Sequence, residues 1–351
     1  MCRSLARAGY PTTLVVADGL GDAEVEGVVV RDVGARGGRL RRFTVVPGRL
    51  LRIALAVRAD IYHLHDPELL PIAARLGASG RRVVFDSHED VPSQLLDKPY
   101  LNRTVARVAS VVFGAYEAFV CRRLSGVVAA TPYIGKKFRV ANPVTAVVNN
   151  FPLRDELQAD SSEGHARHTV CYVGAIAGIR GIGELVRALE LVKTDVRLDL
   201  CGEFSDHAAE QTVRALPGWA RVNERGQLGR AQIRDVLATA VCGVVTFLPL
   251  PNHVNAQPNK MFEYMSAGVP VIASDFPLWR EIVGGSDCGL LVNPLDSGEI
   301  ARAIDRLVSD PVAAARMGRN GRRAVLDRYH WEAEVRELFA FYGRVLERPL
   351  P

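Results

Sequence analysis

The stretch from Pro258 to Asp275, PNKMFEYMSAGVPVIASD, constrains this chain most, because it reads as a short helix, a glycine stop and a buried strand. Helices that feed buried apolar strands belong to layered α/β architecture. Pro258 suits the first helical position and Gly268 the left-handed residue just past the end. At roughly 100° per residue, Met261, Phe262 and Met265 share one side, and Lys260, Glu263, Tyr264 and Ala267 share the other. The apolar side is expected to face a core. Lys260 falls in the first turn, where free backbone N–H groups and the helix dipole already favour an anion. Glu263, one turn on, only accepts hydrogen bonds, which suits sugar or ribose hydroxyls. A phosphate at the helix start with a ribose beyond it is chemically coherent; a solvated Lys/Glu pair is the plain alternative.

The length, 351 residues, suggests two domains, each large enough for its own core. The first half alternates helical and strand-like runs: a helix over 1–9, strands at 12–17, 60–65, 82–87, 126–131 and 144–150, and a long helix over 102–123 read as packing. Ligands of open α/β sheets sit beyond the carboxyl ends of strands, which puts His65, Asp66 and His88 at such an edge. His63, His65 and Asp66 together suggest a metal cluster. The alternation of strand side chains argues against it, because His63 and Asp66 face opposite ways. Polar residues 154–168, DELQADSSEGHARH among them, mark an interdomain linker.

The second half repeats the βα alternation, with strands at 169–174, 196–202, 219–225, 242–248 and 289–292 and helices at 182–193, 230–239, 296–308, 311–328 and 331–347. Gly174, Gly178 and Gly181 permit close backbone approach to a phosphate, and Arg180 offers a guanidinium fork to grip it. The spacing is not that of a dinucleotide-binding loop.

Beyond the 258–275 stretch, the segments HLHDPELLP (63–71), FDSHEDVP (85–92), YVGAIAGIRGIGELV (172–186) and SDFPLWREIV (274–283) lie in register with one family. The chain resembles the retaining glycosyltransferases of family 4. That resemblance implies the GT-B fold: two Rossmann-like doubly wound parallel-sheet domains facing a central cleft. The expected division is 1–151 for an acceptor-side domain, 152–330 for a nucleotide-sugar domain, and 331–351 for a helix packing back on the first. It implies a donor-binding set of Gly174, Gly226, Leu228, Asn255, Lys260 and Glu263, with the Gly226–Leu228 turn clamping the base. His88 matches the histidine that contacts the transferred sugar, and Arg180 and Lys260 stabilise the departing diphosphate. His88, Arg180 and Lys260 are thus the expected catalytic group. The family's opening strand has no counterpart here, so the chain is expected to start one element late.

Two positions depart from the family pattern: Asn255 stands where a second glutamate is common, and Ala175 where an arginine is common. The expected activity is sugar transfer from a nucleotide-diphosphate sugar to a polysaccharide, glycolipid or related hydroxyl, in assembly of a cell-surface glycan. A non-catalytic donor-binding subunit and a nucleotide-sugar 2-epimerase are the alternatives. No Asp-x-Asp occurs, so no essential metal or other cofactor is expected. Six cysteines without a Cys-x-x-Cys pair read as small hydrophobes in a reducing compartment. No secretory signal and no run of 18 apolar residues is seen, so a cytoplasmic protein without a membrane span is expected. A net charge of +5 does not call for nucleic acid. Residues 31–58 carry eight arginines and no lysine, interleaved near the end with Leu50, Leu51, Ile53, Leu55 and Val57. That composition is compatible with peripheral contact with anionic lipid at the inner face of the plasma membrane.

Overall fold

The computed structural model describes residues 1–35, 37, 39–96, 101–154, 156–157 and 167–348, without the side chains of 39–45. The chain divides into two compact units, Met1–Asn149 with Glu334–Pro351, and Asn150–Ala333.

In the second unit six parallel strands form one sheet. In spatial order they are Val222–Gly226, Arg197–Cys201, Thr169–Val173, Ala240–Val245, Val271–Ser274 and Gly289–Val292. This is the doubly wound order, in which the first strand, Thr169–Val173, lies beside the fourth and the chain direction of winding reverses between them. Thr169–Val173, Ala240–Val245 and Val271–Ser274 are near-continuous apolar runs, buried along their whole length because helices cover both faces. Ile182, Leu185 and Leu189 of one helix and Ile300, Ile304 and Leu307 of another fill one side; Met261, Phe262, Tyr264, Met265 and Trp279 fill the other. Leu157, within the stretch expected to be a linker, is fully buried in that second layer with Phe151. Within that stretch, residues 155 and 158–166 lie outside the described residues.

The first unit departs from a single sheet. Thr12–Val16 pairs with Val28–Asp32, which also pairs antiparallel with Ala23–Val25. A separate parallel sheet runs Tyr62–His65, Val83–Ser87, Gly126–Ala129, Thr145–Val147. Thr12–Val16 and Tyr62–His65 are each outermost in their sheets, so no backbone ladder joins the two. The final helix, Trp331–Leu346, belongs to this unit from Glu334 onward, and its Glu334 carboxylate accepts from the Asn149 backbone N–H at 2.6 Å.

Two helices of this unit differ from expectation. Leu50 and Leu51 of Arg39–Val57 pack against the core, while Leu55 and Val57 stay exposed. The long helix Arg103–Cys121, expected to be packing, buries only Ala106, Glu117, Val120 and Cys121. Val105, Val108, Val111, Val112 and Phe119 stay exposed. Among the described residues this is the one helix long and apolar enough to cross a membrane. Its buried Glu117 meets Lys137 Nζ at 2.7 Å, and Lys137 reaches Asp90 at 2.8 Å. All six cysteines are free thiols, five of them buried.

Candidate functional site

The helix of the 258–275 stretch runs Asn259–Ser266, and Pro258 stands at its N-cap rather than inside it. The indole N–H of Trp279 donates to the Ala256 carbonyl at 2.7 Å and fixes the approach to that cap. The helix is buried on nearly all sides, so the division into an apolar and a solvated side fails. Lys260 and Tyr264, assigned to the polar side, are 6% and 0% exposed. Tyr264 is accommodated by Gly243 in the neighbouring strand, where an added Cβ would lie 2.2 Å from the ring. The phenol oxygen then accepts the Val173 N–H at 2.9 Å, tying the helix to the end of the central strand.

Lys260 is thereby delivered to the carboxyl end of that strand. Its Nζ sits 3.5 Å from the Tyr172 ring centroid and 5.8 Å from that of Phe247, and no hydrogen-bond partner reaches it. A ring face attracts a cation but supplies no counter-charge. Burial holds the Lys260 ammonium well below the usual lysine range, the Arg180 charge adds to this, and Glu263 opposes it. Gly174 follows the central strand with φ of 109°, a conformation that side chains resist, and a Cβ there would point at Lys260 Cε from 3.5 Å. The Tyr172 hydroxyl and Arg180 Nη1 both donate to the Ala175 carbonyl, at 2.9 and 3.1 Å, which folds the loop over the strand end.

Glu263 is not free. Its Oε1 lies 2.5 Å from Arg230 Nη1, and Arg230 Nε is 3.1 Å from Glu156. The sequence reading missed Arg230, which opens a helix otherwise read correctly as 230–239. Gly226 ends its strand in the left-handed region, and its carbonyl accepts the Gly202 N–H at 2.7 Å. Leu228 packs on the core beneath the Lys260 helix, and Asn255 closes the short helix Pro251–Val254. Gly174, Arg180, Lys260 and Glu263 therefore converge on one helix start, where cationic groups outnumber anionic ones.

His88 lies in the first unit and has a different setting. His63 and His65 alternate along one strand on the same face, with ring centroids 4.7 Å apart, and Asp86 stands opposite His65 on the next strand. The Asp86 Oδ2 atom receives His63 Nε2 at 3.1 Å, His65 Nδ1 at 3.2 Å and His88 Nε2 at 3.5 Å. His65 Nδ1 and His88 Nε2 are 3.0 Å apart, and the second nitrogen of His63 pairs with the Tyr342 hydroxyl at 2.7 Å. Burial alone would raise the Asp86 carboxyl, but hydrogen bonds from His63 and His65 and the imidazole charges hold it well below the carboxylate range. Burial lowers His63, against the pull of Asp86. The separation of His63 from Asp66 gave no ground against a cluster, since the carboxylate that joins the histidines is Asp86. His63, His65 and Asp86 hold ligand atoms within 4.8 Å of one another, close enough to share one ion.

Residues 1–150 match the family model for glycosyltransferase family 4, and residues 167–310 that for glycosyl transferases group 1. The chain is 25% identical over 191 residues to an MMP α-(1→4)-mannosyltransferase of Mycolicibacterium hassiacum, covering 53% of this chain and 45% of that protein. It thus spans about half the length of the curated relatives it matches. In structure it resembles sucrose-phosphate synthase from Thermosynechococcus elongatus, with a TM-score of 0.77 at 19% identity over 99% of this chain and 92% of the other. It also resembles HepE of Anabaena, solved with UDP and glucose, with a TM-score of 0.71 at 18% identity over 91% and 86%. With the two family models together covering most of its length, the chain belongs to the family 4 glycosyltransferases of GT-B fold.

Proposed function

We propose that this protein transfers a sugar, with retention of anomeric configuration, from a nucleotide-diphosphate sugar to a hydroxyl of a glycan or lipid-linked acceptor. The observation that carries the reading is Lys260, a buried amine with no anionic partner at the switch point of a doubly wound sheet. A diphosphate is the counter-charge that this position lacks. As the glycosidic bond breaks, negative charge grows on the leaving diphosphate while the sugar becomes cationic. Lys260 and Arg180 then gain more from the transition state than from the bound donor, which is the condition for acceleration. The free oxygen of Glu263 is left to accept a ribose hydroxyl, with Arg230 holding the carboxylate in place. His88 is assigned to the donor sugar by its match to the family motif. We assign no metal to the diphosphate, because lysine, arginine and helix N–H groups supply the positive charge there. HepE, with its bound UDP, makes uridine nucleotides the first donors to test.

The test is calorimetric binding of UDP and UDP-sugars without divalent metal, followed by release of UDP with and without acceptor. Metal-free binding, weakened by Lys260→Ala, together with measurable donor hydrolysis, is the expected result. Binding without any turnover would instead mark a donor-holding subunit. Failure of every nucleotide to bind would overturn the reading.

The same proposal places the protein on the cytoplasmic side of the membrane, where its thiols stay reduced. Contact with anionic lipid is through helix Arg103–Cys121, with its exposed valines and Phe119, flanked by exposed Arg103, Arg107, Arg122 and Arg123. Val111→Glu with Val112→Glu should release the protein from anionic vesicles in a flotation assay. Equal flotation of wild type and variant would exclude this helix.

A further inference from the structure

We propose that the first unit carries a binding site for a zinc-class divalent cation, built from His63, His65 and Asp86, with the fourth position left to water. The inference rests on the first unit alone and is independent of the donor assignment.

Three potential ligand atoms converge from two adjacent strands: two imidazole nitrogens and one carboxylate oxygen. Asp86 Oδ2 lies 3.1 Å from His63 Nε2 and 3.2 Å from His65 Nδ1, and all three lie within 4.8 Å of one another. Ligands about 2.0–2.1 Å from a tetrahedral zinc ion lie roughly 3.3–3.4 Å from one another, so these spacings are close to the edges of such a polyhedron. Hydrogen bonding accounts for the cluster poorly. One carboxylate oxygen faces three ring nitrogens, while the other, Oδ1, is buried without a partner. The facing His65 and His88 nitrogens also require a proton between two bases.

The surroundings have the features that orient metal-bound imidazoles. With Nε2 directed to the ion, His63 carries its proton on Nδ1 and donates it to the Tyr342 oxygen at 2.7 Å, which fixes tautomer and ring plane. Asp86 is only 2% exposed, so its carboxylate is shielded from competing water. Register supplies the rest: His65 pairs with Asp86 across the parallel ladder, and His63 and His65 sit two positions apart on one face of their strand. Two nitrogens and one oxygen make a borderline donor set, which selects zinc, cobalt or nickel over magnesium or calcium.

The experiment uses the full chain, stripped by chelator and titrated with cobalt(II), with zinc competition read by calorimetry. The expected result is one saturable site with the intense visible bands of tetrahedral cobalt and no thiolate charge-transfer band. His65→Gln, at a partly exposed position, should weaken binding by more than about 100-fold. Tyr342→Phe should weaken it by about 10–100-fold, the range for an outer-shell partner. Far-UV dichroism of the metal-free variants shows that they fold. No saturable binding, binding unchanged in His65→Gln, or a thiolate band marking cysteine ligation would each overturn the proposal. None of these readouts depends on sugar transfer.

Discussion

Each unit draws a lysine in from solvent, Lys137 in part and Lys260 almost wholly, and the two could hardly be treated more differently. Lys137 in the first unit stands between Glu117 and Asp90, at 2.7 and 2.8 Å. Burial works against its charge, but Glu117 and Asp90 together more than offset this and raise its pKa. Lys260 in the second unit has aromatic rings and Arg180 for neighbours, and its pKa falls well below the usual value. One ammonium is complete within the fold; the other has no hydrogen-bond partner among the described residues. Under the proposed function the contrast separates a structural ion pair from a binding group, which burial alone does not do.

The largest expected effect breaks the structural member. Lys137→Met leaves Glu117 buried without its cation and should cost about 3–5 kcal/mol of unfolding free energy, measured in urea. Burial already raises the Glu117 carboxyl. A raised acid contributes its stability below its unfolded value, near pH 4.5, and loses it as pH climbs through the folded value. The variant should therefore lose stability more steeply than wild type above that pH. Its affinity for nucleotide should not change.

Lys260→Met should do the reverse. Loss of a charge-assisted contact to diphosphate costs about 1.5–3 kcal/mol, or roughly 10–150-fold in affinity, while stability holds or rises because no amine is left to desolvate. A variant that unfolds instead would show Lys260 to be structural. A smaller effect follows from linkage. An amine with a depressed pKa takes up a proton when an anion arrives, so affinity for a nucleotide sugar should fall as pH rises above the free-site value, by at most about tenfold per pH unit. Calorimetry in buffers of different ionisation heat reads that uptake directly. Lys260→Met should abolish it.

Sequence pattern located several elements well. Arg230–Thr239 and Gly289–Val292 match their expected bounds, and Gly174, Arg180 and Glu263 all lie near Lys260. These are local signals: apolar runs, a glycine after a strand, a cation in a first turn. Burial of Lys260 was not legible, because it depends on Gly243 in another strand making room for Tyr264. Arg230 as the partner of Glu263 depends on the placement of a helix three elements upstream. Asp86 was hidden for the same reason, since in sequence it is one residue of a strand and only lateral register sets it against His65. Tyr342 completes the cluster from the far end of the chain. The exposed valines of Arg103–Cys121 show the opposite failure, a helical apolar stripe that periodicity assigned to a core.

The cysteines, finally, make the fold a self-timing reporter. Burial pushes Cys121, Cys242 and Cys288 each up to about 12, Cys201 up to about 11, and Cys171 well above its ordinary value. Alkylation requires the thiolate and access together, so these sulfurs stay silent until the chain around them opens. Cys121 belongs to the first unit and the other four to the second. The order in which labelled peptides accumulate under mild denaturant would reveal which half lets go first, with no tag, dye or mutation added.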